Sequence, residues 1–340
     1  FMPNPNMAVA LGGIIACGLL YVAIGFLIKI TGHAWIEKIM PPVVTGSIVA
    51  VIGLNLASVA VMEARGSNSS AWYMAMTVTC VAVVSVCTTG MLCRLLILFG
   101  LMILTLLYGL FVNGLGWGVG GDSGVQLIDF SKVKEAAWFG LPHFSTPVFD
   151  TAAMLIIVPV AVILVAENLG HLRAVQAMTG RDMDSKIGMA FMGDGFATML
   201  SGAMGGTGVT TYAENIGVMA VTKIYSTLAF VFAGLFAILL GFSPKMGALI
   251  HTIPDPVMGG ISIVVFGLIA VTGAKIWVDN HVDFSQNKNL IVAAVTLIIG
   301  AGNFGLSIGD LKLGGIGVAT LSAVLLNALF KRAPKFDLVD

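Results

Sequence analysis

Apolar runs of bilayer length constrain this chain more than any other feature. A run of roughly 17–25 predominantly apolar residues can cross the hydrocarbon core of a membrane as a helix. We place eleven spans near residues 8–30, 42–62, 71–90, 94–113, 151–168, 187–204, 213–222, 224–242, 256–274, 289–306 and 313–330. The span at 213–222 is too short to cross as a helix alone, so a preceding strand-like piece must complete it.

Composition supports the same class of protein. Charged residues make up 10% of the chain and hydrophobic residues 58%, whereas about a quarter of the residues in a soluble domain are charged. We therefore predict an all-α polytopic membrane protein. Lys+Arg and Asp+Glu are both 17, so the net charge suggests no nucleic-acid partner. The sequence shows no hydrolase, redox or metal-ligand constellation, so we expect neither an enzyme nor a metal or cofactor site.

Lysine and arginine are unevenly divided between the two sets of loops. If the C-terminus is cytoplasmic, twelve of them lie on the cytoplasmic side and five lie outside, namely Arg65, Lys132, Lys134, Lys245 and Lys312. This bias fits the positive-inside rule. The segment 122–150 combines charges with Trp138 and Phe139, so we expect it at a membrane interface. Eleven spans then place residue 1 outside, and we expect the first spans of the fold to be missing from this sequence.

Two segments 214 residues apart resemble each other. Pro42–Leu54 reads PVVTGSIVAVIGL and Pro256–Leu268 reads PVMGGISIVVFGL, with six identities in thirteen positions. The order of the spans makes the two run in opposite directions, which predicts an inverted repeat. Such repeats place the substrate of a transporter near the midplane, on discontinuous helices. The alternative is a chance likeness between two apolar helices.

The stretch Gly205–Asn215 reads GGTGVTTYAEN between two apolar spans. Glycine permits a departure from helix, and valine, threonine and tyrosine favour extended backbone. We predict a short strand and then a half-helix that starts at Ala213 and exposes free amides at its N-terminus. The residues expected to form the strand are Gly206, Thr207, Gly208, Thr210 and Thr211. Because irregular backbone at membrane depth must line a cavity or be buried in protein, this stretch is a candidate site for a planar molecule with alternating N–H and C=O groups.

Three acidic residues lie within or beside apolar spans: Glu167, Asp194 and Glu214. Each is a candidate functional residue, because an ionisable group at the centre of a membrane helix costs at least about 2.5–3.5 kcal/mol. His171 lies four residues after Glu167 and shares its helical face. The alternative for this pair is a helix end in the headgroup region. Asp194 could hold a proton or cation, or it could satisfy buried backbone groups.

The continuation Glu214–Lys223, ENIGVMAVTK, resembles a family signature. That signature has Gln, Glu or Pro, then Asn-x-Gly, four variable residues, Thr, and finally Arg, Lys or Gly. It belongs to the nucleobase–ascorbate transporter (uracil/xanthine permease) family. The resemblance extends to VAENLGHL, GDGFATMLSG and PPVVTGSIVAVIGLNLA and covers almost the whole chain. It is greatest to bacterial uracil permeases of the pyrimidine-utilisation type.

The resemblance implies a fold of fourteen helices in a seven-plus-seven inverted repeat, of which this chain would hold the last eleven. It also implies a core domain and a gate domain. Residues 1–41 would be the fourth helix, in the core, and residues 42–140 would be gate. Residues 141–252 would be core with the substrate site, and residues 253–340 would be gate with a cytoplasmic tail. The resemblance further implies that the family's first two helices, and its third helix with a short strand and an aromatic residue that contacts the base, would be missing from this sequence.

The resemblance also implies roles for the site residues. Glu167 and Glu214 would bind the N–H and C=O edges of a nucleobase, assisted by backbone near Tyr212 and Ala213. His171 would join a proton-linked network around Glu167, and Asn215 would brace the site.

We therefore expect proton-coupled uptake of uracil or a close analogue at a bacterial inner membrane, with sodium as the alternative coupling ion. Glu214 at the first signature position favours a pyrimidine. A gate-domain homodimer occurs in the family. The alternatives are a xanthine or purine permease and an anion carrier of the sulfate/bicarbonate type. Two site carboxylates disfavour the anion carrier, because they repel anions. A membrane enzyme or a channel subunit has no motif in its favour.

Overall fold

The computed structural model describes residues 7–62, 68–89, 95–117, 125–141, 144–158, 160–308 and 311–331. Some positions in the charge pattern lie outside these ranges, among them Arg65, Asp122 and Lys335. The statements on structure below concern the described residues.

Helices follow the apolar runs of the sequence. In chain order they are α1 Met7–Thr31, α2 Ala34–Ile39, α3 Pro42–Met62, α4 Asn68–Cys87, α5 Leu96–Tyr108, α6 Ser131–Glu135, α7 Thr151–Ile157, α8 Val160–Thr179, α9 Ile187–Ala203, α10 Ala213–Thr222, α11 Thr227–Gly241, α12 Pro244–Ile250, α13 Asp255–Asp279, α14 Asn287–Ala301 and α15 Gly315–Phe330. A π-helical turn, Gly109–Gly114, continues α5, and a 3-10 turn, Asp184–Lys186, precedes α9. The helical class predicted from the sequence is confirmed.

Several helices have the length and apolarity of membrane spans. Within the described ranges, α1, α3, α4 and α13 each pass this test alone, and α11 with α12 forms a span bent by 88°. The segment from Leu98 to Gly114 and the helices α14 and α15 are shorter but apolar. This pattern is that of a multi-pass membrane protein.

Two predicted spans end differently in the structure. The span predicted at 151–168 is longer, because α8 continues to Thr179. The span predicted at 289–306 is shorter, because α14 stops at Ala301 and the chain turns through Asn303 with a φ of 49°. A two-stranded antiparallel hairpin follows, with β1 Leu306–Ile308 paired to β2 Leu311–Leu313. Glycine-rich sequence around this turn stops the helix even though its neighbours are apolar.

The chain divides into two compact units. The first unit comprises Phe1–Asn55, Phe144–Tyr212 and Leu268–Asp340, and the second comprises Leu56–His143 and Ala213–Gly267. The core of the first unit includes Tyr21, Phe191 and Ile48, each fully buried, and draws on α1, α3, α8, α9, α14 and α15. The core of the second unit is built from α4, α5, the π-helical turn and α13, and Val81, Val112 and Val257 lie at its centre.

Glycines bring α1 and α9 into backbone contact inside the first unit. A Cβ on Gly195 would lie 2.8 Å from the carbonyl oxygen of Gly18, and a Cβ on Gly188 would lie 2.7 Å from that of Gly25. Both pairs are spaced by seven residues, so they recur on one face after two helical turns. Small residues let membrane helices approach this closely. The contact holds Asp194, the neighbour of Gly195, beside α1.

We predict that Gly195→Ala destabilises the protein and that Gly193→Ala does not. A Cβ at Gly195 would sit 2.7 Å from Val22 Cγ2 and 2.8 Å from the Gly18 carbonyl oxygen, whereas one at Gly193 has no atom within 4 Å. Overpacking of this kind costs about 1–3 kcal/mol. The melting midpoint of each purified variant in detergent measures the effect. Equal midpoints for the two variants would show that the close contact is not needed for stability.

Candidate functional site

The backbone leaves helix between α9 and α10, as the sequence predicts. Residues 206–212 have no regular secondary structure, and α10 starts at Ala213. Gly205 opens the segment with a φ of 87°, a conformation that favours glycine. The predicted strand is not formed as a ladder: within the part of the chain that the structure describes, strand pairing is confined to β1 and β2. We call residues 206–212 the interhelix segment.

Side-chain hydroxyls of α9 bind this segment instead of a partner strand. Thr198 Oγ1 donates to the Val209 carbonyl oxygen at 3.0 Å, and Ser201 Oγ donates to that of Thr207 at 2.6 Å. The Val209 amide also donates to Thr198 Oγ1 at 3.4 Å. Gly206 is needed beside Ser201, since a Cβ there would lie 2.5 Å from Ser201 Oγ. The hydroxyls thus satisfy backbone groups that a helix would have paired internally.

Asn168 joins the interhelix segment to three helices of the first unit. It lies on α8, is 2% exposed, and its Nδ2 donates to Tyr21 Oη on α1 at 2.5 Å and to Asp194 Oδ2 on α9 at 2.6 Å. Its Oδ1 accepts a hydrogen bond from the Thr211 hydroxyl of the segment. The described partner of Asp194 is therefore a side-chain amide.

Glu167 and His171 lie one turn apart on α8 and contact the same segment. Thr210 Oγ1 donates to Glu167 Oε2 at 3.4 Å, and His171 Nδ1 lies 2.6 Å from Thr211 Oγ1. Both side chains are half-buried. The helix does not end at this pair, because α8 continues to Thr179. We call Glu167, Asn168, His171, Asp194, Thr210 and Thr211 the polar cluster.

An ionic group holds the later part of α8 in the first unit. Arg173 Nη2 lies 2.7 Å from Glu37 Oε1 on α2, and its Nη1 donates to Asp184 in the 3-10 turn. His33 Nε2 lies 3.8 Å from both carboxylates. These groups are partly exposed, so their ion pairs contribute little to stability individually, but together they fix the helix that carries Glu167.

The remaining predicted site residues lie where the chain passes from the first unit to the second. Tyr212 ends the interhelix segment and is 61% exposed. Ala213, Glu214 and Asn215 form the first turn of α10 and belong to the second unit. Asn215 is exposed, and the side chain of Glu214 lies outside the described residues.

Sequence reasoning missed Asn168 and Tyr21. A signal for Asn168 was present, because Ala-Glu-Asn, one apolar residue and Gly occur at 166–170 and again at 213–217. Tyr21 gave no signal: it is one of two aromatic residues, with Phe26, in a 25-residue apolar helix. Its ring stacks on Phe191 with centroids 5.2 Å apart, and this contact aims its hydroxyl at α8.

A cavity of about 310 Å³ lies in the second unit. Asp129, Lys132, His251 and Asp255 contribute to its wall. The Ser131 hydroxyl and amide both donate to the Asp129 carboxylate, which lowers the pKa of that group below its usual value. None of the predicted site residues lines this cavity.

The fold and the polar cluster together define a polytopic membrane transporter. Hydroxyls hold the backbone of a helix break, and the half-buried carboxylate of Glu167 and the buried amide of Asn168 lie against it. Discontinuous helices form the substrate sites of transporters.

Comparisons with known proteins place the chain more narrowly. The family model Xan_ur_permease, described as "Permease family", matches residues 2–308. The chain is 63% identical over 329 residues to the "Putative pyrimidine permease RutG" of Escherichia coli (strain K12), which covers 97% of this chain and 73% of that protein. It is 37% identical over 341 residues to the uracil permease of Bacillus caldolyticus, which covers 96% of this chain and 76% of that protein. The chain belongs to the uracil/xanthine permease family, whose members are transporters and not enzymes.

We predict that Thr198→Val loosens the interhelix segment. The substitution keeps the side-chain volume but leaves the Val209 carbonyl without its described donor, at a cost of about 1–3 kcal/mol. Hydrogen–deuterium exchange of peptides covering residues 206–212 should become faster. Thr272→Val is the matched control, because Thr272 is half-buried and donates to the Leu268 carbonyl of its own helix at 2.8 Å, far along the chain from the interhelix segment. Unchanged exchange in Thr198→Val would show that another interaction holds the segment.

Proposed function

We propose that this protein is a secondary active transporter that takes up a nucleobase, most specifically uracil, coupled to protons. Relatives named as uracil and pyrimidine permeases match nearly the whole chain. The observation that carries the proposal on this chain is Glu167, a half-buried carboxylate beside a helix break.

Glu167 suits a nucleobase for a simple chemical reason. Uracil presents alternating N–H donors and C=O acceptors on its edge, and an ionised carboxylate is acceptor-only. A ring N–H bound to Glu167 therefore makes a charge-assisted hydrogen bond, which is roughly twice as strong as a neutral one. The free amides of interrupted backbone supply donors for the carbonyl groups.

Glu214 is our second proposed substrate carboxylate, on the strength of the family signature that it opens. Ala213 and Tyr212 would contribute backbone groups next to it, and Asn215 would brace the turn. Glutamate at this position favours a pyrimidine, as the signature resemblance implies. Sulfate and similar anions are disfavoured, since two carboxylates would repel them.

The polar cluster would couple proton movement to substrate transport. Histidine is the side chain that most readily takes up or releases a proton in the physiological range, and His171 is linked through Thr211 and Asn168 to Asp194. Protonation of this network would accompany substrate binding, with sodium as the alternative ion.

For the architecture we propose a seven-plus-seven inverted repeat with α3 and α13 as equivalent helices. Each of these two helices contributes residues to both compact units, with the boundary after Asn55 in α3 and after Gly267 in α13. We further propose core segments at 1–41 and 141–252 and gate segments at 42–140 and 253–340, moving against each other to alternate access. The protein would lie in a bacterial inner membrane with its C-terminus in the cytoplasm and could pair through its gate domain.

We predict that Glu167→Gln and Glu214→Gln each lower uracil uptake by at least about 10-fold, because the change removes a charged acceptor worth about 1.5–3 kcal/mol. Uptake of labelled uracil by cells that express the intact protein and lack other uracil carriers measures this. The control is Glu135→Gln, the same chemical change at an exposed position on α6.

Competition identifies the substrate in the same assay. Excess unlabelled uracil should block uptake, xanthine should block it less, and sulfate should have no effect. Uptake that resists uracil and yields to sulfate would contradict the proposal, and so would full activity in either glutamine variant.

A further inference from the structure

The hydrogen bonds of Asn168 have a fixed direction. When Asp194 is ionised its Oδ2 can only accept, so the group that faces it at 2.6 Å is then the Asn168 amide nitrogen. The second N–H of that nitrogen goes to Tyr21 Oη at 2.5 Å, and Tyr21 Oη in turn donates to the Leu164 carbonyl oxygen at 3.4 Å. Both amide protons are thus used, and Oδ1 can only accept.

The direction continues through Thr211 to His171. A hydroxyl has one proton, and Thr211 donates it to Asn168 Oδ1. Towards His171 Nδ1, 2.6 Å away, Thr211 Oγ1 must therefore accept. The imidazole proton then lies on Nδ1, since the hydrogen bond of one ring nitrogen decides which nitrogen is protonated. In the neutral ring Nε2 becomes the nitrogen that can accept a proton or a hydrogen bond.

We propose that Asn168 is a positioning residue of the transport site, which links Tyr21 and Asp194 to the Thr211–His171 pair and so sets the His171 proton on Nδ1. Asn168 acts through its neighbours and needs no contact with substrate. The effect of Asn168 on transport rests on the proposed function. The effect of Asn168 on the position of the His171 proton is independent of that function.

The placement of Asn168 explains why it can have this effect. It is 2% exposed, so water cannot substitute for a lost partner. From its place on α8, the Asn168 side chain makes hydrogen bonds to α1, to α9 and to the interhelix segment. A change at Asn168 therefore reaches Thr211, the residue before Tyr212, without altering Glu167 itself.

Two substitutions at Thr211 separate hydrogen bonding from packing. Thr211→Val keeps the shape and removes the hydroxyl, and Thr211→Ser keeps the hydroxyl. We expect Thr211→Val and Asn168→Leu to lower the apparent uracil affinity (1/KM) at least about 10-fold, as for a buried polar group left without a partner. The apparent uracil affinity of Thr211→Ser should remain within about two-fold of the wild type, because serine keeps the hydroxyl that makes the hydrogen bonds.

The tautomer is measured directly and without transport. Protein labelled with ¹⁵N-histidine is studied by solid-state NMR in lipid at about pH 8.5, roughly two units above the ordinary histidine pKa. Loss of a signal in His171→Gln assigns that residue among the 5 histidines. The wild type, Tyr21→Phe and Thr211→Ser should show Nδ1 protonated, and Thr211→Val and Asn168→Leu should lose that signature. Size-exclusion profiles report folding of each variant.

The outcomes separate the inference from the proposed function. A wild type with Nε2 protonated, or a folded Thr211→Val variant that keeps the Nδ1 proton, would overturn the role of Asn168. If the tautomers behave as expected and the wild type takes up no uracil, the proposed function fails and the positioning role stands. Full uptake by folded Asn168→Leu would also overturn the role in transport.

Discussion

The structure depends on how backbone polar groups are satisfied where a membrane helix stops. Between α9 and α10 seven residues have no helical hydrogen bonds, and an unpaired peptide group in hydrocarbon costs several kcal/mol. On one side, the hydroxyls of Thr198 and Ser201 donate hydrogen bonds to two carbonyl oxygens of this segment. Asn168 and Glu167 hold the threonines of the segment from the other side. The helix break thus exists only because polar side chains of α8 and α9 are already in place around it.

Close helix contacts and aromatic stacking hold those polar side chains in position. Glycine pairs let α1 and α9 touch, and the stacked rings of Tyr21 and Phe191 fill the space beside them. Arg173 fixes the later part of α8 through two carboxylates. Rigid helices therefore carry the chemistry, and the segment between them supplies backbone groups. We propose that this site presents both a carboxylate and free amides to one planar molecule.

Much of this could be predicted from the sequence. Apolar periodicity and length give the helices, because burial in lipid demands both, and the glycines and threonines of the 205–215 stretch correctly indicate a break with a new helix at Ala213. The extension of α8 to Thr179 was missed because its second half is polar. The predicted short strand pairs with no other strand among the described residues, and side-chain hydroxyls of α9 bind its backbone instead. Asn168 was missed because its bond to Tyr21 spans 147 positions in the chain, and a single sequence carries no record of such a pairing.

The central claim is that the interhelix segment is part of a nucleobase site. Hydrogen–deuterium exchange of the purified intact protein in lipid, with and without saturating uracil, tests it most directly. Exchange at residues 206–212 should become slower with uracil and should not change with an equal concentration of sulfate. Exchange in this segment that is indifferent to uracil, or that slows with sulfate instead, would contradict the account.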